Sequence, residues 1–312
     1  EISACLVGSE MCIRDSSNSH QLQLMSYDLN ASYNIVRDID AKATGTSGSG
    51  MWGVGGFSPI GNGAQFMGSL DGQGHVISNL TVGNNTSFSG LFGFIGVTGT
   101  VRNVGLDNAV VGGFIQSGAL AAVNYGTIDN VFANAKVSAQ GFGNGVGGLV
   151  GQNSGTISNS YSSGTVTTNG PIIGQVGGLV GYNIGTINKS YSTSKINTIF
   201  PYPGNGALVG MNSGVVNDSF AASTDAAGNP IPGVPLQLVG SNGGTVSATS
   251  GMKTYAELSQ LSTFKDAGWD IDNAGGTGAM WRIYEGAGGP LLRGFLCLLY
   301  TSDAADERSS VD

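Results

Sequence analysis

The stretch GGLVGQNSGTISNSY at residues 147–161 returns as GGLVGYNIGTINKSY at 177–191 and, in weaker form, as GALVGMNSGVVNDSF at 206–220. Its leucine belongs to a series spaced by 29, 29, 30, 29 and 30 residues: Leu91, Leu120, Leu149, Leu179, Leu208 and Leu238. An asparagine four residues later keeps the same phase at Asn124, Asn153, Asn183, Asn212 and Asn242. A β-branched residue keeps the same phase at Val101, Ile128, Ile157, Ile187, Val216 and Val246. Self-similarity at a fixed period of roughly 20–50 residues is typical of repeat architectures.

Each period contains three short β-prone pieces separated by glycine-rich corners, with a third apolar series at Val110, Val137, Val166 and Ile196. Strands this short do not form a stable sheet with their neighbours in sequence. If the chain coils, each strand pairs in parallel with its equivalent one repeat later, and the apolar side chains stack into a shared core. The sequence therefore predicts an all-β fold, a parallel β-helix with three short strands in each coil of about 29–30 residues.

The composition agrees with a folded all-β chain. There are 54 glycines and only 10% charged residues, but 40% of the chain is hydrophobic, which is too much for a disordered segment. The formal net charge of −8 disfavours nucleic acid or an anionic membrane as a partner. No run of 18 apolar residues is present, so no membrane-spanning helix is expected.

Both ends differ from the rest of the chain. Residues 5–16 (CLVGSEMCIRDS) and 297–307 (CLLYTSDAADE) back-translate to an inverted repeat and resemble the transposon-end adapters used to prepare sequencing libraries. We therefore interpret residues 1–16 and 297–312 as artefactual flanks and expect both natural ends to be missing. All three cysteines (Cys5, Cys12 and Cys297) lie in these flanks, so the remaining core is expected to hold no disulfide and no thiolate metal site.

Gly148-Leu149-Val150-Gly151 and Gly178-Leu179-Val180-Gly181 resemble the core of the GLUG repeat family. Residues 22–41 and 57–82 are similar to the segments that lead into such repeats in filamentous-haemagglutinin-like exoproteins of two-partner secretion, and 280–296 is similar to the segment that follows them. The resemblance implies a right-handed β-helix, secreted to the surface of a Gram-negative bacterium through an outer-membrane transporter and used in adhesion or biofilm contact.

The remaining chain divides into three regions. Residues 17–89 are predicted to form N-terminal coils, 90–250 the GLUG-type repeats, and 251–296 a helix and capping cassette. The helix is expected over 253–265, and an apolar cassette is expected to cover the open end of the coil stack: Trp269, Ile271, Trp281, Ile283 and Leu291. A further asparagine series follows the apolar markers by two residues, and an inward hydrogen-bonded ladder is predicted from it: Asn79, Asn103, Asn130 and Asn159. Lys189 and Asp218 interrupt this series.

No catalytic, cofactor or metal residue emerges from the motifs. Asp71-Gly72-Gln73-Gly74, followed by His75, fits a tight turn better than a calcium loop, because the nine-residue spacing of calcium repeats is missing. β-Helix enzymes align carboxylates, or carboxylates with Arg or Lys, across successive coils. The acidic residues of the repeats share no phase on adjacent coils: Asp107, Asp129, Asp218 and Asp225.

The variable segments 139–146, 168–176, 197–205 and 226–237 share one phase and should line one edge of the solenoid. Loops on a rigid scaffold often carry binding, so Phe142, Phe200 and Tyr202 are candidate binding residues. Tolerated insertion without a partner explains the same segments equally well.

The function predicted from these observations is a secreted structural and adhesive surface protein without catalysis or cofactor. Its expected partner is a host or bacterial surface glycan or protein. The alternatives are a β-helix carbohydrate-active enzyme (a polysaccharide lyase or a glycoside hydrolase) and a tailspike-like carbohydrate binder. Aligned carboxylates on one sheet over three coils would favour an enzyme, whereas rows of Ser, Thr and Asn would favour the adhesin.

Overall fold

The computed structural model describes residues 13–45, 50–83, 87–140, 145–169, 175–198, 204–233, 235, 237–275 and 277–296. The chain coils into a parallel β-solenoid in which each strand pairs with its equivalent one repeat later, for example Val150 with Val180 and Ile157 with Ile187. The predicted all-β parallel solenoid is thereby confirmed, while its right-handed sense stays a prediction. The repeat spacing decides the fold because it places residues of equal size at equal heights along the axis.

Three sheets form the faces of the solenoid. Sheet 1 contains 17 described strands: Ile13–Ser16, Ser32–Ile35, Ile39–Asp40, Ser69–Ser78, Thr81–Val82, Thr100–Gly113, Thr127–Asp129, Phe132–Ala139, Thr156–Ser158, Tyr161–Thr168, Thr186–Asn188, Tyr191–Ser192, Lys195–Thr198, Val215–Asn217, Phe220–Ala222, Thr245–Val246 and Gly251–Lys253. Sheet 2 contains six: Phe92–Ile95, Ala121–Asn124, Val150–Asn153, Val180–Asn183, Val209–Asn212 and Val239–Asn242. Sheet 3 contains five: Phe88–Ser89, Gln116–Ser117, Gly145–Gly147, Val176–Gly177 and Asn205–Gly206.

A complete coil carries one more strand segment than the three predicted. It runs from sheet 3 to sheet 2 and then enters sheet 1 twice, as in Gly145–Gly147, Val150–Asn153, Thr156–Ser158 and Tyr161–Thr168. The additional break lies at Asn159, whose φ of 46° turns the chain between the two sheet 1 segments. The regular alternation of side chains stops at this turn: Ile157 and Ser160 are fully buried, whereas Tyr161 lies outside the coil.

The remaining elements lie at the two ends of the chain. Helix α1 (Ser19–Leu24) begins at Asn18, whose side chain accepts a hydrogen bond from the Gln21 amide, and it buries Leu22. Two short helices follow the solenoid, α2 (Tyr255–Leu258) and α3 (Leu261–Lys265). The described residues also contain four 3-10 turns: Met25–Tyr27, Lys42–Gly45, Gly50–Gly55 and Arg293–Phe295. A small fourth sheet is formed by the strands Ile271–Asp272, Trp281–Arg282 and Leu291–Leu292.

The core consists of the predicted stacks. The leucines from Leu91 to Leu208 and the β-branched residues from Val101 to Val216 are fully buried in one continuous apolar cluster. Leu238 and Val246, in the last coil, are only partly buried. The core therefore becomes less well covered at the C-terminal end of the solenoid.

The two glycines of the Gly-Leu-x-Gly core are required by close backbone approach. A Cβ on Gly148 would collide with the carbonyl oxygen of Gly178 in the next coil. A Cβ on Gly151 would lie 2.6 Å from the carbonyl oxygen of Ala122 in the preceding coil. Leu149 between them fills the core, so the motif combines one core side chain with two tight backbone contacts.

The third apolar series is shifted by one residue at its first member. Val110 was predicted to join it, but Val110 is 42% exposed and Val111 is fully buried opposite Val137. A bulge causes this shift, because the register moves between Asn134 and Ala135 and leaves Asn108 unpaired with φ of 50°. The inserted residue shifts the alternation of the following side chains by one position, so Val111 and not Val110 points inward.

The inward asparagine ladder exists, but at a different set of positions from the predicted one. Asn124, Asn153, Asn183 and Asn212 are fully buried, and each donates from Nδ2 to Oδ1 of the next member at 2.8–2.9 Å, ending at Asn242. The predicted series instead occupies left-handed corners of sheet 1, with φ between 46° and 59°: Asn79, Asn103, Asn130 and Asn159. Lys189 and Asp218 continue that conformation rather than interrupting it, with φ of 45° and 47°.

The single predicted helix over 253–265 is two short helices. Thr254 caps α2, with its hydroxyl accepting from the Glu257 amide while the Glu257 carboxylate accepts from the Thr254 amide. Gln260, between α2 and α3, has extended backbone angles, which end the first helix and start the second. Leu258 and Phe264 are buried, as the apolar spacing suggested.

The C-terminal cassette packs against the side of the solenoid, not over its end as predicted. Residues 254–296 form what we call the lateral strap. Its Trp281 ring lies 5.9 Å from Tyr191, its Trp269 ring 5.9 Å from Phe220, and its Phe295 ring 4.8 Å from Phe132. The three contacted residues and Tyr161 share one register position on sheet 1, so their outward rings form an aromatic column: Phe132, Tyr161, Tyr191 and Phe220. Burying these large apolar rings away from water stabilises the fold, which explains why the strap packs on the side of the solenoid.

Candidate functional site on the outward face of sheet 1

The predicted binding residues Phe142, Phe200 and Tyr202 lie outside the described residues. Their role stays a prediction. Within the described residues, the most ordered array of polar side chains instead follows the outward face of sheet 1.

One row on this face carries charge over three successive coils. Asp71 pairs with Arg102, and Arg102 pairs with Asp129, so a carboxylate, a guanidinium and a carboxylate stand in register. Adjacent strands of a sheet lie about 4.8 Å apart. The sequence comparison of Asp107, Asp129, Asp218 and Asp225 missed this row because it began inside the repeats. Asp71 belongs to the preceding coil, where it follows Leu70, the partner of Val101.

Asp71 is fully engaged by its neighbours. Its Oδ2 accepts from Arg102 Nε at 2.9 Å, and its Oδ1 accepts from Asn103 Nδ2 and from the Gln73 amide, each at 2.9 Å. Partial burial acts to raise the pKa of Asp71, but these hydrogen bonds and the Arg102 charge hold its pKa below the ordinary value. A carboxylate in this state is a poor proton donor at neutral pH, so Asp71 is unsuited to general acid catalysis.

Amide side chains extend this hydrogen-bonded array to neighbouring coils. Asn130 Nδ2 donates to Asn103 Oδ1 at 2.6 Å, and Asn159 Nδ2 donates to Asp129 Oδ1 at 2.9 Å. The corner asparagines therefore link coils on the outside, as the buried ladder does on the inside. These contacts hold the polar row in a fixed geometry.

A histidine and a carboxylate lie next to the row. His75 Nδ1 is 3.1 Å from Asp38 Oδ1, which also accepts from the Val76 amide at 2.9 Å. An imidazole oriented by a carboxylate is one half of a nucleophile-activating arrangement. In the described part of the chain, no hydroxyl group is hydrogen-bonded to His75, so the nucleophile of such an arrangement is not assembled. The turn predicted at Asp71–Gly74 is a bulge within strand Ser69–Ser78, with φ of 53° at Gln73.

In the C-terminal coils the same face carries hydroxyl and amide groups. One row places Thr127, Thr156 and Thr186 in register, followed by Val215 and Thr245. The charged row itself continues from Asp129 through Ser158, Asn188 and Asn217, and Asn217 Nδ2 donates to Asn188 Oδ1 at 3.0 Å. This row therefore changes from charged to uncharged polar groups along the solenoid.

The part of the chain that the structure describes contains neither a cluster of metal-ligand side chains nor a helix that could span a membrane. No group of three or more His, Cys, Asp or Glu side chains there is placed to hold a metal ion. Over the same ranges, none of the helices is both long and apolar enough to cross a membrane.

Comparison with known proteins identifies the repeat and the fold. Residues 142–167 match the family described as the GLUG motif. Halomucin of Haloquadratum walsbyi is 42% identical over 128 residues, which cover 39% of this chain and 1% of halomucin. A candidate Gly-rich membrane protein of Evansella cellulosilytica is 40% identical over 107 residues, which cover 32% of this chain and 12% of that protein. The chain thus matches only a small part of the length of these relatives.

Among solved structures, a candidate immunoglobulin A1 protease from Bacteroides ovatus has a similar fold. It superposes with a TM-score of 0.53 at 19% sequence identity, over 90% of this chain and 92% of that chain. At this identity the likeness establishes the shared fold and does not transfer the protease activity.

Proposed function

We propose that this chain is a rigid segment of a secreted surface protein, which holds and presents contact sites without catalysing a reaction. The observation that carries the proposal is the pair of in-register polar rows on sheet 1, where Thr156 and Thr186 stand beside Ser158 and Asn188. Such rows offer many weak hydrogen bonds along a fixed line, which suits contact with an extended surface or polymer.

The interior supports a stiff scaffold for this role. The buried asparagine ladder links five consecutive coils through side-chain hydrogen bonds of 2.8–2.9 Å. Buried polar groups that are all paired give a well-defined structure, because any displacement would leave one of them unsatisfied.

The relatives support a surface location. One of them is a candidate membrane protein, and both are longer than the matched region. The resemblance of residues 22–41, 57–82 and 280–296 to filamentous-haemagglutinin-like exoproteins supports export by two-partner secretion, with an outer-membrane transporter as the partner during secretion. A host or bacterial surface glycan or protein is the contact partner that we propose.

The test is adhesion by the full chain coupled to latex beads. Beads carrying the folded chain should attach to bacterial or epithelial cells, and beads carrying albumin should not. A matched control is Leu179→Asp, which places an unpaired charge in the fully buried leucine stack and should unfold the neighbouring coils. Attachment that is absent, or equal for the folded chain and for Leu179→Asp, would refute the proposal.

A second candidate function rests on the charged row. Asp71, Arg102 and Asp129 stand in register on three coils, and β-helix enzymes that act on carbohydrate also align carboxylates with Arg; the ionised Asp71 would act there as a base and not as an acid. The test is incubation with acidic and neutral polysaccharides, and with immunoglobulin A1, followed by measurement of new reducing ends or peptide fragments. Cleavage that disappears in Asp71→Asn and His75→Gln would establish an enzyme and exclude a purely structural role.

A further inference from the structure

A cleft lies on the N-terminal coils, away from the polar rows. It has a volume of about 590 Å³ and is formed by α1, the turn after it, and residues 51–64. This volume lies within the range of about 300–1,000 Å³ that is common for small-molecule sites. Its lining includes Gln23, Ser26, Tyr27, Met51, Trp52 and Asn62.

The cleft has a fixed aromatic floor. Trp52 is only 6% exposed and stacks on Phe57 at 5.6 Å with an interplanar angle of 25°. Gln23 holds the adjoining wall, because its amide donates to the Ser58 carbonyl and accepts from the Ser58 N–H, each at 2.9 Å. These contacts fix the shape of the cleft before any ligand arrives, which lowers the entropy lost on binding.

The rim of the cleft presents unused binding groups. Tyr27 is 86% exposed and Met51 is 56% exposed. Among the described residues, no hydrogen-bond partner is present for the Tyr27 hydroxyl, the Ser26 hydroxyl or the side-chain amide group of Asn62. A tyrosine ring this exposed offers an apolar face together with a polar tip, which is the combination enriched at binding surfaces.

The lining is uncharged. None of the side chains that line the cleft belongs to Asp, Glu, Lys, Arg or His. A charged ligand would lose its hydration without gaining an ionic partner there. Hydroxyl and amide groups beside exposed aromatic and apolar side chains instead match a ligand with many neutral hydroxyls and C–H faces.

We propose that this cleft binds a neutral oligosaccharide of two or three sugar units, with Tyr27 stacking on one sugar ring and Asn62 and Ser26 bonding its hydroxyls. The inference deepens the proposed surface role by naming a contact site and its ligand class. The role itself does not depend on this cleft.

The test is titration calorimetry of the full chain with neutral tetrasaccharides (cellotetraose, maltotetraose and N-acetylated chitotetraose) and with two acidic probes (sialyllactose and trigalacturonate). At least one neutral sugar should bind, and the acidic probes should bind more weakly. Tyr27→Ala and Asn62→Ala should each weaken binding by roughly tenfold. Tyr284→Ala is the matched control, since Tyr284 is 41% exposed and lies on the lateral strap, outside the cleft lining.

Four results would overturn the inference. They are no binding of any neutral sugar, equal binding by Tyr27→Ala, tighter binding of the acidic probes, and concentration-dependent self-association that Tyr27→Ala abolishes. The last result would assign the cleft to contact between copies of the chain. Bead adhesion without sugar binding would refute this inference and keep the proposed surface role. Sugar binding without bead adhesion would keep this inference and refute the proposed surface role.

Discussion

At the scale of single residues, asparagine has two separate roles in this fold. In the buried ladder, Asn183 Nδ2 donates to Asn212 Oδ1, to the Gly185 carbonyl and to the Val215 carbonyl. At the sheet 1 corners, asparagine is used because it tolerates a positive φ better than most residues do. The sequence predicted an asparagine ladder from phase alone, and phase does not distinguish a buried position from a corner. The two roles should therefore respond differently to substitution.

We expect Asn183→Ala to lower the free energy of unfolding by about 2–4 kcal/mol, because it removes the Asn183 Oδ1 acceptor of the buried Asn153 Nδ2 and the Asn183 Nδ2 donor to the buried Asn212 Oδ1. Asn242→Ala is the control at the exposed end of the ladder and should cost less than about 1 kcal/mol. Urea unfolding followed by circular dichroism measures both. Equal losses for the two variants would contradict a ladder whose strength depends on burial.

At the scale of elements, the aromatic column and the lateral strap form a second core beside the solenoid. The Tyr161 and Tyr191 rings stack at 4.9 Å with an interplanar angle of 11°, and the Tyr191 hydroxyl donates to the Pro290 carbonyl at 2.6 Å. Burial raises the pKa of Tyr161, and the nearby Asp107 charge adds to this. Burial also raises the pKa of Tyr191, with Tyr161 contributing. Both phenols therefore stay neutral in the folded chain.

This second core makes the protein sensitive to alkali. Above about pH 10 the unfolded chain releases its tyrosine protons while folded Tyr161 and Tyr191 keep theirs, so the unfolded state binds fewer protons and stability falls as pH rises. The Tyr161→Phe/Tyr191→Phe double variant should lose about 1 kcal/mol at pH 7, from the Pro290 hydrogen bond, but should show a flatter decline between pH 9 and about pH 11. Tyr27→Phe, at an exposed position, should keep the wild-type slope. A double variant with an unchanged slope would show that these phenols do not control the alkaline limit.

At the scale of the whole molecule, periodicity made the solenoid predictable but left its non-repeating parts open. Leu149 stacks on Leu179 because equal spacing places them at equal heights, and that could be read from the sequence. The bulge at Asn108 could not, because one inserted residue changes side-chain direction without changing the average period. The charged row was also missed, since the longer lead-in coil hid the equivalence of Asp71 and Arg102. The side on which the strap packs was also left open: Phe132, Tyr161, Tyr191 and Phe220 keep the repeat phase at spacings of 29, 30 and 29 residues, but phase does not show that their rings point outward.

The lateral strap gives the solenoid contacts beyond those between neighbouring coils. In most solenoids each repeat touches only the next, so distant coils can open independently. Here one segment lies against Phe220 in a late coil and Phe132 in an earlier one, and Gly294 lies against Gly74 near the N-terminal coils. We therefore expect the strap and the solenoid to unfold as one cooperative unit.

Trp281→Ala tests this cooperativity. The Trp281 side chain is 1% exposed, so its removal should cost about 3–5 kcal/mol. If the strap and the coils are coupled, amide hydrogen exchange in Val150–Asn153 on sheet 2 should quicken by the same free energy as exchange in the strap, although Trp281 packs against sheet 1. Tyr284→Ala, at an exposed position of the same strap, should leave both regions near wild type. Faster exchange confined to residues 254–296 would mean that the strap opens alone and that the solenoid behaves as an ordinary chain of neighbouring repeats.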